Sequence, residues 1–237
     1  ESFQTSVANY DKVNIHVEPV FYSADDRVEL SEIFNGNEAL VKKYAEKLAI
    51  SFDRIEYAKN NFIRVVKVMK AFILNESVKS FLCLNNKLPQ ENKGLFDIKL
   101  LEEFADVIIK LYDIKGLKAK DLLYSINGDD YDAKRAEFIQ RLSKGEKLFV
   151  ISSYKTVGVG QNLQYKAPGN VAIVSVNDYD RGDMEKDFDC IYLEKPTHLL
   201  VNVDSKKGID AENLIRFIYQ MEFLMERGEV SRKDGIA

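Results

Sequence analysis

Apolar residues recur along this chain with two different periods, and the change of period divides it. From Asn37 to Ile50 and from Asp53 to Leu74 they return every three or four positions, which predicts two helices. In the second run Ile55, Ala58, Phe62, Val65, Val66, Met69, Phe72 and Ile73 form a broad stripe. A stripe of that width has to be buried, either on a sheet or within a small helical insertion. Its functional alternative is a docking or nucleic-acid-guiding element. After residue 76, short β-rich runs take over at 78–85, 121–128, 147–153, 170–176 and 189–193. One helix between them carries Leu100, Leu101, Phe104, Val107, Ile108 and Leu111 at helical spacing. Another has Ala136, Ile139 and Leu142 on one face, with Asp129 or Asp130 as N-cap and a stop at Lys144-Gly145.

Alternation of strand and helix predicts the α/β class: an open parallel sheet flanked by helices, with right-handed crossovers. Preceding it is a mainly helical N-terminal segment, residues 1–76, joined to the α/β segment 77–237 without a Pro/Ser-rich linker. Val13, Ile15 and Val17 alternate within 11–22 and suggest an edge strand. Leu214, Ile218, Met221 and Met225 suggest a last helix. The chain starts at Glu1 without Met and stops at Ala237 soon after that helix, as an excised piece of a longer protein would.

Composition narrows the chemistry. The 237 residues are 46% hydrophobic and 30% charged, and no apolar run approaches the ~20 residues of a membrane span. With nothing like a signal peptide, this leads to the expectation of a soluble, cytoplasmic protein. Cys83 and Cys190 fall in separate strands, the pattern of buried free thiols rather than a disulfide or metal pair. His16 and His198 are isolated, so no metal site and no Ser-His-Asp arrangement is expected. The formal charge of −4 argues against a dedicated DNA-binding domain. Its 34 Lys and Arg residues still suffice for a local basic strip along a phosphate backbone.

One segment carries candidate chemistry. Residues 147–164 run from an apolar strand into the turn Ser152-Ser153-Tyr154-Lys155 and on through Gly158, Gly160, Gln161 and Asn162 to Leu163. Small residues after a strand leave backbone N–H groups free to approach phosphates, and Lys155 adds positive charge.

This segment resembles motif V of superfamily 2 helicases and Swi/Snf-like DNA translocases. The order of events around it is similar too: a strand at 78–85 in the place of the motif IV strand, a strand ending at Gly128, a helix carrying Arg135, a Gly-containing turn, then the motif V strand. The resemblance covers residues 78–177 and implies the C-terminal RecA-like lobe of an ATP-dependent, bacterial or phage-like motor acting on DNA or RNA. It implies that Gly128, Ser152, Ser153, Tyr154 and Lys155 touch the nucleic-acid backbone. Gly158, Gly160, Gln161 and Asn162 would face ATP, with Asn162 where the family keeps an Asp or Asn near the ribose. The partner it implies is an N-terminal RecA-like lobe of the same parent chain, where ATP and magnesium are held.

The match has departures. Ser153-Tyr154 stands where the family commonly has Ser-Thr. No motif VI is recognisable, since Arg181, Arg216 and Arg227 with Gln220 have the wrong spacing. Neither a G-x-x-x-x-G-K-[ST] loop nor a DEAD-like acidic box occurs in the sequence, so no catalytic residue is assigned and these residues alone are not expected to hydrolyse ATP. Two alternatives remain. A degenerate RecA-like lobe could serve as a non-catalytic binding or regulatory module. A Rossmann-type dinucleotide enzyme could use Gly158-Val-Gly160 as the start of a G-x-G-x-x-G fingerprint, although its third glycine position is Leu163.

Overall fold

A computed structural model describes residues 16–53, 55–86, 96–126, 131–154, 156–157, 163–169, 185–194 and 219. Three helices come first: α1 (Asp26–Ile33), α2 (Glu38–Phe52) and α3 (Glu56–Leu74). β1 (Ser80–Asn85) then leads through α4 (Ile98–Leu111) and the single turn α5 (Ala119–Leu122) to β2 (Leu123–Ser125), and α6 (Tyr131–Ser143) to β3 (Leu148–Ser153). β4 (Tyr165–Lys166), β5 (Glu185–Lys186) and β6 (Cys190–Leu193) complete the described elements.

The class is α/β. Four strands form one parallel sheet in the order β2-β3-β1-β6, and β4 and β5 make a separate antiparallel pair. β1 and β3 are buried at every position, as inner strands of a sheet covered on both faces must be. Their side chains alternate between two cores. Phe81, Cys83, Phe149 and Ile151 face a large cluster with α1 to α5; Leu82, Leu84, Leu148 and Val150 face a smaller one with Phe138 and Leu142 of α6.

The broad apolar stripe is buried on the sheet. Phe72 of α3 sits with its ring centroid 5.5 Å from Phe81 and 5.7 Å from Phe149, which lie opposite each other in register. Farther along, Phe62 meets Phe52, Phe96 and Phe104, and Phe104 meets Phe34 and Tyr44. Ion pairs from Lys67 to Glu29 and from Lys59 to Asp26 fasten α1 to α3. Helices and sheet therefore share one core across the soft boundary expected near residue 76. Two compact units are distinguished, residues 1–193 and 194–237. Of the second unit only Glu194 and Tyr219 are described, the latter in a helical conformation.

Several expectations are corrected. The run at 121–128 is shorter as a strand, because Asp121 and Leu122 belong to α5 and β2 starts at Leu123. Ala136 is exposed, whereas Leu142 is buried and Ile139 partly buried as expected, with Phe138 joining them on the buried face of α6. Ile55 is the exposed N-cap of α3, Cys190 is only half-buried, and residues 16–22 form no strand. The turn ending α6 is as expected: Gly145 adopts φ +81°, and Gly145 and Glu146 return N–H bonds to Leu142 and Arg141. The runs at 11–15 and 170–176, the caps Asp129 and Asp130 and the bulk of the last helix lie outside the described residues.

Candidate functional site

The carboxyl ends of β1 and β3 lie side by side in the middle of the sheet, Asn85 opposite Ser153. The chain leaves β1 for α4 on one face and leaves β3 for the other face, where Leu163 and Tyr165 pack in the smaller core. In open α/β sheets the usual ligand position lies at the carboxyl ends of neighbouring parallel strands whose connections diverge to opposite faces.

Of the residues expected here, Ser152, Ser153 and Tyr154 are described. Alternation turns Ser152 toward the smaller core, where it is fully buried and its Oγ donates to the Ile126 carbonyl at 3.3 Å. With the Ile126 N–H bonded to the Ile151 carbonyl at 3.0 Å, this ties the end of β2 to β3. Ser153, also buried, ends β3 at the carboxyl edge. Its Oγ lies 3.0 Å from Thr156 Oγ1 and accepts the Thr156 N–H at 3.2 Å, and the Thr156 and Val157 N–H groups bond to its carbonyl. This is a side-chain-closed turn of the kind Ser and Thr favour. Tyr154 donates its N–H to the Asn85 carbonyl at 3.3 Å, and its ring packs partly buried on the smaller core. Gly128, Lys155, Gly158, Gly160, Gln161 and Asn162 lie outside the described residues. Arg135 sits half-buried in the second turn of α6.

Four asparagines, none of them among the expected site residues, lie in α3 and at the end of β1. Asn85 closes β1 with its side chain fully buried, and neither its Oδ1 nor its Nδ2 has a hydrogen-bond partner. Asn60 and Asn61 lie in α3, and the Oδ1 of each is buried without a partner. Asn86, the next residue after β1, donates from Nδ2 to the hydroxyl of Tyr57 in the first turn of α3 at 3.0 Å. Their signal in the sequence is polarity out of place: an Asn inside an apolar helical stripe, and another ending a strand of Phe, Leu and Cys.

At the opposite end of the sheet the polar groups are fully engaged. Asp189 accepts from the Lys79 and Ser80 N–H groups at 2.9 and 3.0 Å and pairs with Lys186, and its own N–H bonds to Ser80 Oγ. Burial pushes its carboxyl up, but hydrogen bonds from Lys186 and the two backbone donors outweigh that and hold it below the ordinary carboxylate range. Lys147, just before β3, stands over the Phe72 ring and donates to the Asn75 carbonyl at 2.5 Å. Burial, with Lys79 nearby, lowers its ammonium to about 8. These are braces that set β1 against its neighbours, at the opposite end of the strands from Asn85 and Ser153.

Among the described residues no group of three or more His, Cys, Asp or Glu could hold a metal, and no helix is long and apolar enough to cross a membrane. Neither a protein-family model nor a curated protein matches the chain.

Proposed function

We propose that this chain is the C-terminal RecA-like lobe of an ATP-dependent superfamily 2 helicase or translocase working on DNA or RNA. The observation that supports it most is the place of β3. The strand that resembles motif V is an inner strand of a parallel sheet, and it brings Ser153 to the carboxyl edge beside the end of β1. That is where an α/β sheet presents ligands.

In this reading Ser153, Tyr154 and Lys155, with Gly128 from the end of the β2 run, face the nucleic-acid backbone. Ser152 acts as a positioning residue, since its hydroxyl holds Ile126 and so the approach to Gly128. Gly158, Gly160, Gln161 and Asn162 follow on the ATP side. ATP and magnesium would be cradled by the N-terminal lobe of the parent chain, and closing of the two lobes would move the motif V turn one step along the backbone. Phosphoryl transfer rests on positioning and charge stabilisation, so one wall of the site alone leaves turnover at background.

The test is fluorescence anisotropy of a labelled single-stranded oligonucleotide. Binding is expected to be weak, to fall as salt rises, and to weaken further in Lys155→Ala and Ser153→Ala. Binding indifferent to both salt and Lys155→Ala would refute the nucleic-acid assignment. A non-catalytic module on the same scaffold is the second reading, favoured by Tyr154 standing where the family keeps Thr. It differs in one outcome: joined to its N-terminal lobe, the protein would bind nucleic acid without nucleic-acid-stimulated phosphate release.

A further inference from the structure

The turn Phe34-Asn35-Gly36-Asn37 joins α1 to α2 and holds an Asn-Gly pair in left-handed backbone. Asn35 has φ +52° and Gly36 φ +74°. The Gly36 N–H reaches back to the Ser31 carbonyl at 2.8 Å, and the Phe34 N–H bonds to the Leu30 carbonyl at 2.8 Å. This is the left-handed helix ending in which the second residue past the cap bonds to the last turn, with Asn at the position where glycine is commoner. From the other side Asn37 caps α2, its Oδ1 accepting the Leu40 N–H at 3.1 Å. Phe34 is fully buried, its ring centroid 5.0 Å from that of Tyr44 and 5.6 Å from that of Phe104, so the core pins the turn from within. Asn35 and Gly36 are exposed, and a Cβ at Gly36 would meet nothing within 4 Å.

Asparagine followed by glycine carries its own chemistry. With no side chain to hinder it, the glycine nitrogen gives up its proton to base and attacks the asparagine Cγ; the Cγ–Nδ2 bond breaks, ammonia leaves, and a five-membered imide closes. Water then opens the imide at either carbonyl and leaves aspartate or isoaspartate. Here the nucleophile is the Gly36 nitrogen, and the bond to Ser31 both engages its hydrogen and fixes the backbone at Asn35. We propose that Asn35-Gly36 is a conformationally guarded deamidation site, intact while α1 is seated and converted to isoaspartate when the turn opens. α1 has only eight residues, too few to hold a helix without tertiary contacts. Short exposed elements open at less cost than core strands, so this turn opens before the sheet does. Conversion then hinders return. Isoaspartate lengthens the backbone by a carbon and sets a carboxylate near the last carbonyls of α1, whose last turn carries no basic residue. The bond to Ser31 no longer closes, and Phe34 loses its seat beside Tyr44 and Phe104. This inference is independent of the nucleic-acid reading.

The experiment incubates the whole chain at mildly alkaline pH, in native buffer and in guanidinium chloride, and follows residue 35 by peptide mass mapping with an isoaspartate-specific methyltransferase. Asn127-Gly128, the other such pair in the sequence, is read separately. Conversion of Asn35 is expected to be at least about tenfold slower in native buffer, as for a turn open less than about a tenth of the time. Phe34→Ala, which unseats the turn, should bring the native rate toward the denatured one. Unsubstituted protein converted in guanidinium and refolded should melt below Asn35→Gly treated alike, because glycine keeps the left-handed turn and has no amide to lose. That comparison stands should Phe34→Ala fail to fold. Equal rates at Asn35 in the two solvents overturn the guard, Asn35 left intact in guanidinium overturns the site, and equal melting of the two treated proteins overturns the unseating of α1.

Discussion

Phe72→Ala tests whether the N-terminal helices and the sheet are one cooperative body. Phe72 is buried, and its ring meets Phe81 and Phe149 on the sheet and the Lys147 ammonium at 4.5 Å from its centroid. Truncating a buried Phe to Ala costs about 3–5 kcal/mol, through lost transfer free energy and the cavity left behind. Two aromatic contacts at ~0.5–1.5 kcal/mol each beyond area burial, and a cation over the ring at ~0.5–2 kcal/mol, place the expectation in the upper half of that range. Against a total stability of about 5–15 kcal/mol, the loss is a large fraction. Urea unfolding followed by far-UV circular dichroism should show the midpoint falling with an unchanged slope, because the same surface is exposed on unfolding. Phe21→Ala is the control: Phe21 is 74% exposed, and its loss should stay within about 0.5 kcal/mol. A Phe72→Ala loss under ~1 kcal/mol, or a transition that splits in two, would show α3 to be a separate element lying on the sheet.

Acid should act through Glu29, Glu103 and Asp189. Each is pushed up by burial but held below its ordinary range by stronger opposing bonds, from Lys67 and Ser23, from Lys47 and Tyr44, and from Lys186, Lys79 and Ser80 respectively. A depressed carboxylate contributes stability that is present above its unfolded pKa of about 4 and is lost as pH falls through its folded value. Melting temperature should therefore drop steeply below about pH 4, and Asp189→Asn should melt lower than the parent at pH 7 with a shallower acid slope; an unchanged slope would refute the role of Asp189. Lys147 titrates in the opposite sense. With its folded value near 8 and its unfolded value near 10.5, the unfolded chain holds the extra proton between them, so this group makes stability rise with pH across that window. Lys147→Met should remove the rise, and the Lys147 amine should be acylated ahead of exposed lysines at pH 8; equal reactivity of all lysines would show that burial and Lys79 do not perturb it.

The α/β class and most elements were legible in the sequence because the signals are local. Ten of the nineteen residues of α3 are buried, and the period of 3.6 records that directly. The apolar runs of β1 and β3 likewise record burial on both faces. The short elements were not legible. α1 has eight residues and α5 four, and β4 and β5 two each, too few for a period to show. At the candidate site, composition pointed to the turn after β3 but could not say which hydroxyl meets the edge. Strand alternation decides that: Ser152 turns into the smaller core, and Ser153 closes the turn beside Asn85. The seating of α3 on the sheet was hidden for a different reason. Phe72 and Phe81 belong to separate elements, and only the passage of α3 over β1 brings their rings to 5.5 Å. Periodicity reports which face of an element is buried; which residues on two buried faces come together depends on how the elements cross, and that is fixed by packing alone.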